Sequence, residues 1–246
     1  MKKFLSVLLL CAMALTMVAC GSEKETANDA DVKSEGVMTH KEYIAAELDT
    51  DVVIETYVQG KQSWWNDAAS LYTQDKDGAY FAYNITCTEE DYKKLEKGTK
   101  VRISGTKGEW AGEVEVMDGS LEILDGKYVA EAFDVTSLMG KDELIDHQNE
   151  FVSFKGLTVE AAAEGSEEAY LYSWDGSGSE GDDLYFNVSL NGEVYSFTVE
   201  SYQCDSSTDV YKAVKSLKVG DVIDVEGFLY WYEGAQPHVT SVTVVG

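Results

Sequence analysis

The chain has 246 residues, of which 45 are acidic and 19 basic, for a formal net charge of −26. That balance opposes non-specific contact with phosphate polymers or anionic lipid surfaces and favours solubility. Four cysteines and three histidines in a chain of this length exclude a disulfide-stapled scaffold.

Lys2 and Lys3 form a positive start, and residues 4–18 are a short, nearly unbroken apolar run. A run this short, closed by small residues, reads as a signal peptide over 1–19 and not as a spanning helix. Met17-Val18-Ala19-Cys20 resembles the lipobox of bacterial lipoproteins, although Met stands where Leu is usual. The resemblance implies that Cys20 is lipidated, and that the mature chain is anchored to the cell membrane on its extracytoplasmic side, in the bacterial envelope. Residues 20–36 hold Ser, Glu, Lys, Thr, Asn and Asp with little apolar surface, which predicts a flexible tether.

A repeat organises the chain beyond the tether. Leu95, Gly98, Val101, Ile103 and Gly105 recur at a constant offset as Leu217, Gly220, Ile223, Val225 and Gly227, and Gly112 recurs as Gly234. The expectation is one domain over 37–140 and a second over 141–246. In the first, Thr39 and Glu42 have capping-box spacing and predict a short helix. A strand over 51–58 leads into a polar loop carrying Trp64 and Trp65. Residues 71–83 read as two strands joined at Asp77-Gly78. Residues 88–95 make a helix, acidic first and basic last, as the helix dipole favours. Val101 and Ile103 alternate with Arg102 and Ser104, a strand with one buried face. Beyond a turn at 109–112, Val114 and Val116 continue the alternation. Residues 121–124 and 128–135 are further strand candidates, and 138–148 is a linking helix or loop.

The second copy repeats the order: a strand over 151–157, a second over 170–174, a loop over 175–183, and a hairpin about Asn191-Gly192. A helix over 206–217 and closing strands over 220–232 and 238–245 complete it. Gly220-Asp221-Val222-Ile223-Asp224-Val225-Glu226-Gly227 resembles the strand after the helix in the anticodon-binding-like group of OB-folds. That group's strand reads Gly-Asp-x-Val-x-Val-x-Gly with apolar residues at the Val positions; residues 98–105 depart from this pattern only in having Thr99 for the Asp, and Leu71 to Gly78 is similar to the second-strand segment. The resemblance implies a mainly β chain of two tandem five-stranded OB-fold (Greek-key) barrels, each with a short helix, after the signal peptide and tether. Thr56 stands where the second copy has Gly156, so the first strands are expected to bend differently.

In OB-folds, ligands lie across the second and third strands, between the loops after strands one and four. The resemblance then implies ligand-binding positions at Trp64, Trp65, Tyr72, Tyr80, Tyr83 and Trp110 in the first copy. In the second they are Trp174, Tyr230, Trp231 and Tyr232. Rings on such a surface stack on sugars, bases or peptide side chains; the competing use of the same rings is to fill two small barrels. Asp75 to Gly78 and Asp175 to Asp183 hold oxygen ligands, but neither meets the calcium-loop pattern. His40, His147 and His238 lie in unrelated segments without zinc-ligand spacing. No nucleophile elbow or P-loop is present. No metal and no cofactor are implied, and no catalytic motif indicates an enzyme. Cys87 and Cys204 remain as a pair or as separate thiols.

The expected function is therefore a membrane-anchored, non-catalytic binding module for a glycan, peptide or envelope protein. Single-stranded nucleic-acid binding is the alternative implied by the fold. Charge makes nucleic acid an unexpected partner, with a local strip of Lys61, Lys76, Lys100, Arg102 and Lys107 as its remaining route. A metal-dependent hydrolase is a more distant third.

Overall fold

A computed structural model describes residues 33–246. The expected signal peptide over 1–19 and the expected lipidation position Cys20 lie outside the described residues. The chain enters the first barrel through α1 (His40–Ala45), whose cap is reciprocal. Glu42 N donates to Thr39 Oγ1 at 3.3 Å, and Thr39 N donates to the Glu42 carboxylate at 2.8 Å. Strands β1 (Asp51–Lys61), β2 (Ala68–Gln74) and β3 (Ala79–Thr86) follow, then α2 (Glu89–Lys94), β4 (Thr99–Trp110) and β5 (Glu113–Lys127). The order β1-β2-β3-β5-β4 closes on itself, with β3 and β5 parallel.

The second domain holds β6 (Phe133–Asp134), two 3-10 turns (Thr136–Leu138 and Asp142–His147), β7 (Phe151–Glu160) and β8 (Tyr170–Tyr172). It continues with β9 (Leu184–Leu190), β10 (Glu193–Val199), α3 (Asp209–Ser216), β11 (Val222–Phe228) and β12 (His238–Val244). Here β7 pairs with both β11 and β9, and β10 runs parallel to β12, so β7-β9-β10-β12-β11 repeats the first ring strand for strand. Both domains are OB-fold barrels.

The repeated stretch builds equivalent parts of each. Leu95 and Leu217 are buried where the helix gives way to the strand, and Val101, Ile103, Ile223 and Val225 point into the cores. The ladders shift register at Gly105 and at Gly227. A Cβ at 105 would lie 2.7 Å from the Met117 carbonyl oxygen, and one at 227 would overlap that of His238. Only a residue without Cβ lets the bent strand approach its neighbour that closely. The first strands do differ. β1 pairs with β4 without a break from Asp51 to Tyr57, whereas β7 bulges at Gly156 (φ +67°), whose N–H donates to Asp224 Oδ1 at 2.8 Å.

Several local expectations change. Tyr170–Tyr172 is not the second barrel strand but a short extra strand on the edge of β9, which itself takes that place. Residues 121–124 continue β5, and within 128–135 only Phe133–Asp134 pairs, with β7 of the second sheet. Lys33, expected within the tether, is held by the first barrel. The Lys33 ammonium is buried against the first barrel, ion-paired with Asp75 and donating to the Glu55 carbonyl at 2.9 Å. Asp75 also accepts from Asp77 N and Gly78 N, so that turn is closed by the chain's own groups. Cys87 and Cys204 are separate buried thiols.

The barrels meet through a third apolar cluster. Tyr72 and Phe81 of the first pack on Phe151 and Phe228 of the second, with Tyr72 stacked on Phe228 at 4.3 Å and 4°. Fully burying an aromatic ring of this kind contributes roughly 2–3 kcal/mol.

Candidate functional site: a groove between the barrels

The apolar cluster is the floor of a groove. Its middle is a chamber of 470 Å³ walled by Phe81 and Tyr83 of β3, Trp110 at the end of β4, and Tyr230 in the β11–β12 connection. Beyond Tyr230 and His238 the groove continues into a 640 Å³ compartment beside Trp174, Tyr185 and Tyr232. On the other side of Tyr83 it opens into one of 430 Å³ beside Trp65 and Tyr202. Neighbouring compartments share Gln62 and Tyr83 at one junction and Glu200, Tyr230 and His238 at the other. Each barrel thus contributes its second- and third-strand side and the connection between its fourth and fifth strands. Both contributions face the same space.

Of the ten aromatic positions singled out in the sequence, six line this groove. Trp65, Trp110 and Trp174 are 80%, 63% and 77% exposed, Tyr83 and Tyr232 are exposed, and Tyr230 is half-buried. The other four have structural places. Tyr72 and Tyr80 are fully buried, the first between the barrels and the second in the first core, and are corrected from ligand positions to packing positions. Trp64 turns inward, its Nε1–H donating to the Cys87 carbonyl at 2.8 Å. Trp231 packs against the second core and over Gly112.

The groove is acidic. Glu115 of β5 is 5% exposed, and among the described residues nothing hydrogen-bonds or ion-pairs with its carboxyl group, which opens on the chamber. Burial pushes it up to about 7. Glu200, just past β10, accepts from the Gln62 amide at 2.9 Å across the domain boundary. Burial, with Asp183 nearby, lifts it to about 7 as well. Two residues before Glu115, Glu113 accepts from Trp231 N at 2.9 Å and from the Gln148 amide at 3.3 Å, while its Oε1 has no hydrogen-bond partner among the described residues. Burial pushes Glu113 up to about 8. His238 stacks on Tyr230 at 4.3 Å and meets the Tyr72 hydroxyl at 2.6 Å; burial drives it down to about 3, so it is neutral.

Neither these acids nor His238 stand out as site residues in the sequence. Glu113 and Glu115 alternate with valines and read as a wet strand face, but that face is covered by the other domain. A signal is present, however. In Leu71-Tyr72 and Tyr80-Phe81-Ala82 both strand faces are apolar, the mark of a strand buried on two sides.

Four of the five residues of the basic strip are engaged within the first barrel, while Lys76 is exposed. Lys107 donates to the Tyr43, Ile44 and Ala46 carbonyls, Lys100 and Arg102 hold Glu55, and Lys61 donates to the Tyr92 carbonyl. Among the described residues no cluster of His, Cys, Asp or Glu has the makings of a metal site.

No protein-family model matches the chain, and no curated protein matches it. Solved structures do. The chain is similar to the p204 HINb domain (10% identity, TM-score 0.36, covering 81% of this chain and 100% of that one). It is also similar to a murine DNA-binding protein bound with double-stranded DNA (9%, 0.37, 79% and 96%). A third is a replication protein A heterotrimer bound to single-stranded DNA (12%, 0.32, 85% and 52%). These identities and scores carry nothing about this chain's own ligand. The expectation that nucleic acid is an unexpected partner is corrected on a different ground, because it rested on net charge alone. Chains solved with DNA are among the neighbours, and net charge is a sum over the whole surface, whereas phosphate contact is decided locally.

Proposed function

We propose that the protein is a non-catalytic binding module, lipid-anchored at Cys20 on the extracytoplasmic face of a bacterial membrane, that holds an extended glycan in the groove between its barrels. The observation that carries this reading is the row of rings. Trp65, Tyr83, Trp110, Tyr230, Tyr232 and Trp174 follow one another along a surface built jointly by both domains. Flat sugar faces stack on such rings, and the Gln62, Ser196 and Gln236 side chains along it suit hydroxyl groups. The anchor rests on the lipobox-like residues around Cys20.

The same row of rings suits unstacked bases, and single-stranded nucleic acid is the second reading. Titration of the full-length chain with oligosaccharides and with oligonucleotides, followed by tryptophan fluorescence, separates them. Saturable quenching by a sugar, weakened at least tenfold in Trp110→Ala and in Trp174→Ala, is the expected result. Oligonucleotide binding that survives physiological salt, with no sugar bound, would replace the first reading by the second. Binding indifferent to both tryptophans would remove the groove as the site.

A further inference from the structure

We propose that the central chamber of the groove is a receptor for an organic cation, an ammonium group carried on an aminated sugar, with Glu115 and Glu200 as its counter-ions. This rests on the groove being the ligand site and names what its middle selects.

The chamber joins two kinds of group that each favour positive charge. Phe81, Tyr83, Trp110 and Tyr230 surround it, and the negative face of an aromatic ring attracts a cation within about 6 Å. Glu115 and Glu200 are both more than nine-tenths buried there. A buried carboxyl group without a counter-charge is costly, and proteins normally pair it or hydrogen-bond it fully. Among the described residues Glu115 has neither, and Glu200 accepts only from the neutral Gln62 amide and the Tyr202 backbone. Among the described residues no lysine or arginine lines any of the three compartments. His238 adds no positive charge, because burial keeps it neutral. The chamber therefore has an excess of acceptors, and the missing donor fits the description of an ammonium group. A hard divalent cation is a poorer match, since it requires six or more oxygen ligands and the walls here are rings.

The charged neighbours fix the direction of the pH response. Glu113 precedes Glu115 on the same strand, Asp183 lines the same compartment as Glu200, and the phenols of Tyr83 and Tyr230 complete the wall. All are acids, so the cation meets the full negative charge only when Glu115 and Glu200 have released their protons. Both sit near pH 7, so affinity for the cation rises from pH 6 to pH 8.

The test uses the full-length chain and two sugars of one length, a glucosamine hexamer and its fully N-acetylated twin, titrated calorimetrically at pH 6, 6.5 and 8, with tetralysine as a third probe. At these values much of the glucosamine amine remains protonated at pH 6 and part of it at pH 8, so a choline titration at both values supplies a fixed charge. The expected result is at least tenfold tighter binding of the glucosamine hexamer than of its twin at pH 6.5. Choline affinity is expected to rise at least threefold from pH 6 to pH 8. Glu115→Gln and Glu200→Gln, which keep shape and lose charge, are each expected to bring the ratio between the two sugars close to one. Equal binding of both sugars by the unmodified chain overturns the cation site and leaves the glycan groove standing. Binding of neither overturns both. Retention of tetralysine with no binding of the glucosamine hexamer overturns the sugar in favour of a basic peptide.

Discussion

Tyr72 of the first barrel and His238 of the second are joined by a hydrogen bond of 2.6 Å between Oη and Nδ1, with both side chains buried. His238 is neutral, and Tyr72 has no other acceptor for its proton among the described residues. The arrangement that leaves no buried donor unsatisfied has the phenol donating to Nδ1, which places the ring proton on Nε2. Docking of one barrel therefore selects the tautomer of a groove residue in the other. Tyr72→Phe should cost about 1–3 kcal/mol, the usual penalty for a buried polar atom that loses its partner. Denaturant melts measure the loss. Imidazole nitrogen NMR should show Nε2 protonated in the parent and a mixture in the variant.

Stability should fall as the solution becomes alkaline. Glu113, Glu115 and Glu200 are lifted to about 8, 7 and 7 by burial, from a reference of 4.5. Between the unfolded and folded values the native state holds more protons than the unfolded one. The associated stability is complete below about pH 4.5 and is lost as pH rises through 7 to 8. Thermal midpoints should therefore drop between pH 6 and pH 9. Glu113→Gln should flatten that slope and raise stability at pH 9 by roughly 2 kcal/mol, since a buried charge is removed. A parallel profile in parent and variant would count against the assignment.

An acid-side effect of opposite sign belongs to Glu55. Burial works against its charge, but Ser34, Arg102 and Lys100 overcome that and hold it at about 2. Arg102 meets it at 2.7 Å and Lys100 at 3.2 Å. Its contribution is present above about pH 4.5 and disappears as pH falls toward 2. Arg102→Gln should shift the acid-unfolding midpoint upward by several tenths of a pH unit and leave the alkaline limb unaltered.

The glycines separate close approach from backbone conformation. Gly105→Ala and Gly227→Ala drive a methyl group against a backbone carbonyl of the adjacent strand, and each should destabilise by at least about 3 kcal/mol. Gly156→Ala meets open space and carries only the penalty of a positive φ, about 1 kcal/mol. Urea unfolding of the three variants orders them.

How far the sequence can be read depends on what each pattern encodes. Leu95-to-Gly105 and its recurrence specify the interior of a barrel: two apolar positions, a bend and a helix stop. These are local demands, so they are visible locally. Tyr72 and Glu115 depend on neighbours far along the chain, in the other domain. A tyrosine at an outward parity and a glutamate between valines look solvent-facing until a second barrel covers them. The edge strand Tyr170–Tyr172 escapes the pattern for a related reason. Alternation shows that a segment is extended, but not whether it closes a ring or lies at its margin. The groove aromatics can be anticipated as loop rings, but their meeting in one place is a property of docking.

Ser63 N donates to the Tyr202 carbonyl at 2.6 Å, so the loop carrying Trp65 is fastened to the opposite domain. Gln62, one residue earlier, is fastened there through Glu200. Each barrel has its own core, but the loop carrying Trp65 takes its place from contacts with the other barrel. Duplication here did not yield two modules working side by side. It yielded two halves of a single groove, and neither barrel forms that groove without the other.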